Sequence, residues 1–370
     1  MRVLHVITGL GIGGAEQQLR LLLRHLPVRS AVVTLTNPGP VAEALRADGV
    51  PVTHLGMRGN RDLTALPRLA RLIRRGRYDI VHTHLYRACV YGRIAARIAG
   101  VRHVVATEHS LGAAQIEGRP LTAGARALYL ATERLGSATV AVSDTVAHRL
   151  TDWGVRPHRI SVVPNGIDAA GLAHDRVARS TARRRLGIPA DAYVVGGVGR
   201  LVPGKRFGTL VRALAELPPD VRLLLVGEGP ELPRLRRLAA AEGVDGRVVW
   251  AGAVTRGLPA LLSAMDVFVS PSADEAFGLA VVEALAAGLP VRYVACPALD
   301  DLPPQDAPAA RRIGGTVADL ASAVRETRAQ HAAGHSRWPV PPAAHRYDIA
   351  RSARQLTTLY RTLYRGASDR

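Results

Sequence analysis

The stretch SPSADEAFGLAVVEALAAGLP, Ser270 to Pro290, carries more of the fold and function than any other part of the chain. The residues before it, Met265-Asp266-Val267-Phe268-Val269, form a short apolar run with the character of a buried strand. Ser270 to Ala276 is polar and turn-like. From Leu279 the spacing becomes helical through Val282, Leu285 and Ala286, and it stops at Gly288 followed by Pro290. Glu275 thus belongs to a loop just before a helix start, and Glu283 is expected about two turns along that helix. A strand end, a loop of small residues and a helix start leave backbone N–H groups free to meet an anion. Two carboxylates eight residues apart would flank that anion and accept hydrogen bonds from sugar hydroxyls. The plainer alternative makes Glu275 a partner of the positive helix end and Glu283 an exposed helix residue. The apolar residues all round Glu283 argue against it, because a carboxylate in a buried helix needs a partner.

In this setting Glu275-x7-Glu283, within E-A-F-G-L-A-V-V-E-A-L-A-A-G-L-P-V, resembles the E-x7-E motif of the retaining GT-B glycosyltransferases, glycosyltransferase family 4. Further matches run along nearly the whole chain. The resemblance implies an α/β fold of two Rossmann-like domains facing across an interdomain cleft. It implies transfer of a sugar from a nucleotide diphosphate sugar, expected to be a UDP-sugar, to a hydroxyl of a glycan, lipid-linked sugar or small molecule. Retention of anomeric configuration, no cofactor and no metal are implied with it.

The bulk properties fit such a protein. A chain of 370 residues is expected to form two domains of ordinary size, and a hydrophobic content of 48% supplies two cores. No apolar run approaches the ~18 residues that span a bilayer. Met1 to Leu10 enters a strand pattern directly, with no basic segment or cleavage site, so no secretory signal is expected. Cys89 and Cys296 form neither a disulfide framework nor a metal spacing. A cytoplasmic protein is expected, with contact at the inner face of the membrane left open. The net charge of +19 would attract polyanions, but aromatics make up only 4%, a poor supply of base-stacking platforms, so no nucleic-acid partner is expected.

In the first half, Val3 to Thr8 reads as a strand, Gly9-Leu10-Gly11-Ile12-Gly13-Gly14 as a glycine loop, and Ala15 to His25 as a helix. Gly9, Gly11 and Gly14 satisfy G-x-G-x-x-G, yet the second strand, Ala31 to Thr36, ends in Asn37-Pro38 without the acid that would hold a dinucleotide ribose. What remains is a loop whose backbone can approach a phosphate; the resemblance places G-G-A-E, Gly13 to Glu16, opposite the donor diphosphate. Strands and helices then alternate through Thr107, as in a parallel sheet covered on both faces. His82, His84 and His109 fall at the carboxyl ends of strands, where such sheets bind ligands. Their spacing carries no zinc signature. His109, in T-E-H-S, matches a family position near the transferred sugar, and His82 and His84 would shape the wall beside it. The helix around Leu66 to Arg77 sets Arg68, Arg71 and Arg75 opposite Leu66, Leu69, Leu72 and Ile73. It reads equally as a membrane-surface helix and as a solvated face of an ordinary helix.

V-P-N-G-I-D, ending at Asp168, resembles the family's passage between its domains, and Ala169 to Ala190 reads as a polar connection. Tyr193 to Val198 is a strand leading into Gly199-Arg200-Leu201-Val202-Pro203-Gly204-Lys205, a match to the family's G-R-L-x-x-x-K. Arg200 and Lys205 lie on a strand-to-helix loop, where two cations and a helix start can hold a diphosphate. Lys205 is the one lysine among 49 basic residues, which suggests a reason specific to that site. Val291 to Asp300 lacks the glycine-rich turn usual in the family, which leaves open how residues 291–303 close over the donor phosphates. Tyr360 and Tyr364 lie in a helix from His345 to Arg365 that resembles the family's terminal helix.

The expected domains are 1–168 for the acceptor, 169–345 for the nucleotide sugar, and 346–370 as a helix crossing back to the first. Arg200, Lys205, Gly13, Gly14 and the helix start at Phe277, Gly278 and Leu279 would stabilise the departing diphosphate. Glu275 and His109 would steady the sugar, and Glu283 would hold the ribose. A GT-B sugar-nucleotide epimerase is the alternative; a nicotinamide enzyme and a polyanion-binding protein fit less well.

Overall fold

Apolar strands alternate with amphipathic helices to build two separate parallel sheets. In the computed structural model the described residues are 1–112, 115–116, 119–300, 302–334 and 337–365. The chain divides into two units, Met1–Gly166 with the segment from Ile349 onward, and Ile167–Asp348. The last five positions of the expected 346–370 segment, and Asp301 within 291–303, lie outside the described residues.

In the first unit, β1 (Arg2–Ile7), α1 (Gly14–His25), β2 (Arg29–Thr34), α2 (Gly39–Ala47), β3 (Val52–His54), α3 (Ala65–Gly76), β4 (Ile80–His84), α4 (Tyr86–Ile98) and β5 (His103–Glu108) follow in turn. A small antiparallel pair, β6 (Gln115–Ile116) and β7 (Arg119–Pro120), precedes α5 (Ala123–Glu133), β8 (Ala138–Ala141), α6 (Asp144–Trp153) and β9 (Ile160–Val162). The sheet order is β3-β2-β1-β4-β5-β8-β9, so the winding reverses direction between β1 and β4. One face buries Leu4, Val6 and Val81 against Leu69 and Ile73 of α3 and Ala95 of α4. The other buries Val3, Ile7 and Ile80 beneath Leu19 and Leu23 of α1. The C-terminal helix, Ile349–Arg365, lies on this second face through Ile349, Ala353, Leu356 and Tyr360, one residue per turn.

The second unit runs α7 (Arg176–Arg185), β10 (Tyr193–Val198), α8 (Phe207–Ala215), β11 (Val221–Val226), α9 (Leu232–Ala241), β12 (Val248–Gly252), α10 (Leu258–Ala264), β13 (Val267–Ser270), α11 (Leu279–Ala286), β14 (Val291–Tyr293), α12 (Pro297–Asp300), β15 (Ala310–Arg312), α13 (Val317–Ala332) and α14 (Pro342–Arg346). Its sheet order, β12-β11-β10-β13-β14-β15, reverses between β10 and β13. The strands are near-continuous apolar runs because both faces are covered, and Val195, Leu223 and Val267 are all but fully buried.

One expectation is corrected here, and one open alternative is decided. Residues 169–190 are not a loose connection, because they contain α7. Asp175 caps it, accepting hydrogen bonds from the N–H groups of Val177 (2.7 Å) and Ala178 (3.0 Å). Its inner face is arginine: Arg179 and Arg183 each reach a carboxylate oxygen of buried Asp266 at 2.7 Å. The open alternative concerns α3. Leu69 and Ile73 are buried, and Leu66 and Leu72 pack beside them. A helix lying in a membrane surface needs a free apolar face, and the apolar face of α3 belongs to the core. Among the described residues no helix is long and apolar enough to cross a membrane.

Candidate active site

Ligands of doubly wound sheets bind where the strand order reverses, beyond the carboxyl ends of the two central strands. In the second unit those strands are β10 and β13, and the sequence puts its most suggestive loops there.

The loop after β10 is shaped by close backbone packing. Leu201 N–H donates to the Glu228 carbonyl at 2.8 Å, and Glu231 N–H donates to the Leu201 carbonyl at 3.0 Å. A Cβ on Gly227 would clash with the Gly199 carbonyl, and one on Gly229 with the Leu201 carbonyl. These glycines let two strand-to-helix loops lie flat against each other. The chain then makes a short 3-10 turn, Pro203–Lys205, and passes through Arg206 in a left-handed conformation (φ 53°) into α8.

This turn aims Lys205 at the loop after β13. Its Nζ lies 2.5 Å from Glu275 Oε1, with side-chain exposures of 31% and 14%. Ser272 reinforces the junction: its hydroxyl donates to the carbonyls of Gly204 (3.2 Å) and Asp274 (3.1 Å). Lys205 and Glu275, 70 residues apart in sequence, therefore share one locus. Arg200 is exposed and forms no ion pair among the described residues.

The helix start beside them is open. Gly278 caps α11 in the left-handed region (φ 98°) and offers no side chain to the first N–H groups. Val281 and Val282 N–H turn back to the Gly278 carbonyl, at 3.0 and 3.3 Å. Buried Cys296 underpins the cap, with its thiol 3.4 Å from the Phe277 carbonyl and directly beneath Gly278. In this chain the residues after β14, which lack a glycine-rich turn, thus hold the helix start from below.

Two expected residues sit differently from their sequence reading. Glu283 is the fifth residue of α11, little more than one turn along it and not two, since α11 begins at Leu279 as the spacing indicated and a turn takes about 3.6 residues. Its side chain is half-buried and makes no hydrogen bond among the described residues, and burial raises its carboxyl to about 7. The Phe277 ring is turned into the core, edge-on to Tyr347 with centroids 5.0 Å apart, so it offers a ligand only its backbone. Leu279 likewise contributes its N–H at the helix start.

In the first unit the loop after β1 leads to Gly13, an extended N-cap of α1 without a side-chain cap, and Gly14 is the first helical residue. Glu16 stands in the first turn of that helix. His109 follows β5 and accepts or donates a hydrogen bond through Nε2 to His84 Nδ1 at 3.1 Å. Behind them lies His5 of β1, which sequence reasoning missed. It is fully buried, and its Nδ1 is 3.1 Å from His84 Nε2. His82 is held separately, Nδ1 2.5 Å from the Tyr360 hydroxyl and Nε2 2.6 Å from Thr107 Oγ1. His5, His82 and His84 come close enough for their nitrogens to be considered as metal ligands. Both His82 nitrogens are already engaged by hydroxyls, however, and the facing nitrogens of His5 and His84 are at hydrogen-bond distance.

Comparison with known proteins places these features. Residues 12–170 match the family described as Glycosyltransferase Family 4, and residues 178–300 match Glycosyl transferases group 1. The chain is 31% identical to the 2-deoxystreptamine glucosyltransferase of Streptomyces kanamyceticus, over 70% of this chain and 71% of that protein. It is 30% identical to the UDP-Gal:alpha-D-GlcNAc-diphosphoundecaprenol alpha-1,3-galactosyltransferase of Escherichia coli, over 67% of this chain and 66% of that enzyme. It is 38% identical to a D-inositol 3-phosphate glycosyltransferase of Acidothermus cellulolyticus, over 58% of this chain and 52% of that protein. The match thus spans between about half and two thirds of the length of the last two relatives. The fold agrees with that of Anabaena Alr3699/HepE, solved in complex with UDP-glucose: TM-score 0.87 at 23% identity, over 98% of this chain and all of that one. With both sheets wound as in GT-B proteins and both family matches in register with the two units, this chain belongs to the glycosyltransferases of family 4.

Proposed function

We propose that this chain is a retaining glycosyltransferase that moves a sugar from a UDP-sugar to a hydroxyl of a lipid-linked, glycan or small-molecule acceptor. The observation that carries the reading is the meeting of Lys205 and Glu275 at the reversal point of the second sheet, beside the uncapped start of α11. Breaking the bond between sugar and diphosphate puts negative charge on the leaving phosphate. Lys205, Arg200 and the first N–H groups of α11 are the donors available to stabilise it. Glu275, freed from Lys205 as the phosphate takes over that cation, steadies the positive charge that develops on the sugar. Glu283 accepts hydrogen bonds from the ribose hydroxyls. In the first unit the proposal gives His109 to the sugar and the Gly13–Gly14 turn to the phosphates, on the family resemblance alone. Retention and metal independence rest on that resemblance too. A uridine donor is supported by the name of the Escherichia coli relative, and lipid-linked and small-molecule acceptors by the relatives' names; the glycan acceptor rests on the family resemblance.

The test needs no acceptor. Glycosyltransferases hydrolyse their donor slowly, and proton NMR reads the anomer released before mutarotation. We expect an α-linked UDP-sugar to give the α-sugar first, at a rate strongly reduced in Lys205→Ala. Initial release of the β-anomer refutes retention, and release of an epimerised sugar assigns the chain to epimerase chemistry.

A further inference from the structure

The histidines behind His109 form a chain whose proton count is constrained. His5 Nδ1 faces His84 Nε2 at 3.1 Å, and His84 Nδ1 faces His109 Nε2 at 3.1 Å. The rings are stepped in near-stacked array, His5 to His84 at 5.3 Å and 21°, His84 to His109 at 5.4 Å and 31°. The two terminal nitrogens, His5 Nε2 and His109 Nδ1, are both shielded from solvent and have no hydrogen-bond partner among the described residues. Burial holds all three imidazoles well below their ordinary pKa, so each is neutral at physiological pH.

A neutral imidazole carries one N–H and one lone pair. Three such rings joined by two hydrogen bonds have only two consistent arrangements. In one, every ring is protonated at Nε2, and the unpartnered donor falls on His5. In the other, every ring is protonated at Nδ1, and the unpartnered donor falls on His109. His5 is fully buried in the sheet face beneath α1 and the C-terminal helix, and no solvent and no acceptor among the described residues reaches its Nε2. An N–H left there is a donor without recourse, which proteins rarely tolerate. His109 Nδ1 is just as shielded in the free protein, but His109 directly follows β5 at the carboxyl edge of the sheet and is partly exposed as a residue, so a ligand bound there can supply the missing acceptor. A bound ligand that accepts from His109 therefore selects the second arrangement.

We propose that His5 and His84 are positioning residues that hold His109 in its Nδ1–H tautomer, so that His109 presents a hydrogen-bond donor to an oxygen of the bound sugar. This rests on the reading that places His109 at the sugar. His82 takes no part, because Tyr360 and Thr107 occupy both its nitrogens. The Nδ1–H form is the one free histidine disfavours in water, which makes it diagnostic.

The measurement is the imidazole 15N spectrum of the intact protein labelled at histidine and saturated with a UDP-sugar, with single variants assigning the signals. We expect Nδ1 to carry the proton in His5, His84 and His109. His84→Asn keeps an N–H donor near the Nδ1 position and should preserve the tautomer of His109. His84→Leu removes it, and should shift His109 toward Nε2–H and slow donor hydrolysis about tenfold, the loss of one hydrogen bond. UDP affinity should stay unchanged in both variants. An Nε2–H signal for His109 in the wild-type protein overturns the proposal, as does an unchanged tautomer in His84→Leu. So does a zinc-induced shift of the His5 and His84 signals, which would make the cluster a metal site. Because the wild-type spectrum alone decides the tautomer, a variant that fails to fold does not shield the proposal. An Nδ1–H signal at His109 with His109→Ala hydrolysing donor at the wild-type rate would instead refute the placing of His109 at the sugar, and with it the functional half of the proposal.

Discussion

Replacing Glu283 by glutamine should remove a pH dependence from donor binding. Burial raises the Glu283 carboxyl from 4.5 to about 7 in the free protein. Ribose hydroxyls donating to the carboxylate would stabilise its charged form and lower that value in the complex. Below pH 7 the protein must then release a proton to bind, so affinity rises with pH and levels off above neutrality. The ionised fraction grows from about one tenth at pH 6 to about nine tenths at pH 8, which is about tenfold in Kd, or about 1.4 kcal/mol. Isothermal titration with a UDP-sugar, whose diphosphate has no proton titrating near neutrality, reads this directly. Glu283→Gln should bind with a flat profile across the same range.

The same group sets a folding dependence of opposite sense. Its folded pKa lies above its unfolded one, so the folded protein binds the extra proton, and stability is lost as pH rises from about 4.5 through about 7. The full shift corresponds to about 3 kcal/mol, and the partial exposure of the side chain reduces this to about 1–2 kcal/mol. Glu283→Gln should therefore match the wild type in thermal stability near pH 4 and exceed it at pH 8. Parallel pH profiles for the two proteins, in both binding and melting, would refute this account of Glu283.

Two further substitutions test the scaffold. Gly278→Ala places a Cβ against the Cys296 thiol at a positive φ of 98°, and should cost about 1–3 kcal/mol in urea unfolding; an unchanged midpoint would show the cap to be slack. Asp266→Ala strands Arg179 and buried Arg183, and also removes the acceptor of the Val194 N–H at 2.7 Å. It should cost about 3–5 kcal/mol, and a loss under 1 kcal/mol would mean that the arginines find other partners.

What the sequence shows and hides follows from which interactions are local. β10 and β11 are legible to the residue because each is an apolar run bounded by glycine, and the local pattern is the whole cause. The loops carrying Lys205 and Glu275 are legible for the same reason, as is the open start of α11. α7 is not, because its buried face is arginine: a polar pattern hides a helix whose partner, Asp266, comes more than 80 residues later. His5 looks like one polar residue in a core strand. Only the pairing of β1 with β4, which sets His5 beside His82, brings the histidines together. Phe277 misleads in the other direction, since nothing in its neighbourhood shows that Tyr347 of the second unit draws its ring inward.

The central claim is that the Lys205–Glu275 locus grips a nucleotide diphosphate. Its most direct test is the affinity of UDP for Lys205→Ala against the wild type, by isothermal titration, with folding checked by circular dichroism. A charge-assisted hydrogen bond of about 1.5–3 kcal/mol predicts a Kd weakened about 10- to 150-fold. Equal affinity in the two proteins would place the diphosphate elsewhere and contradict the account.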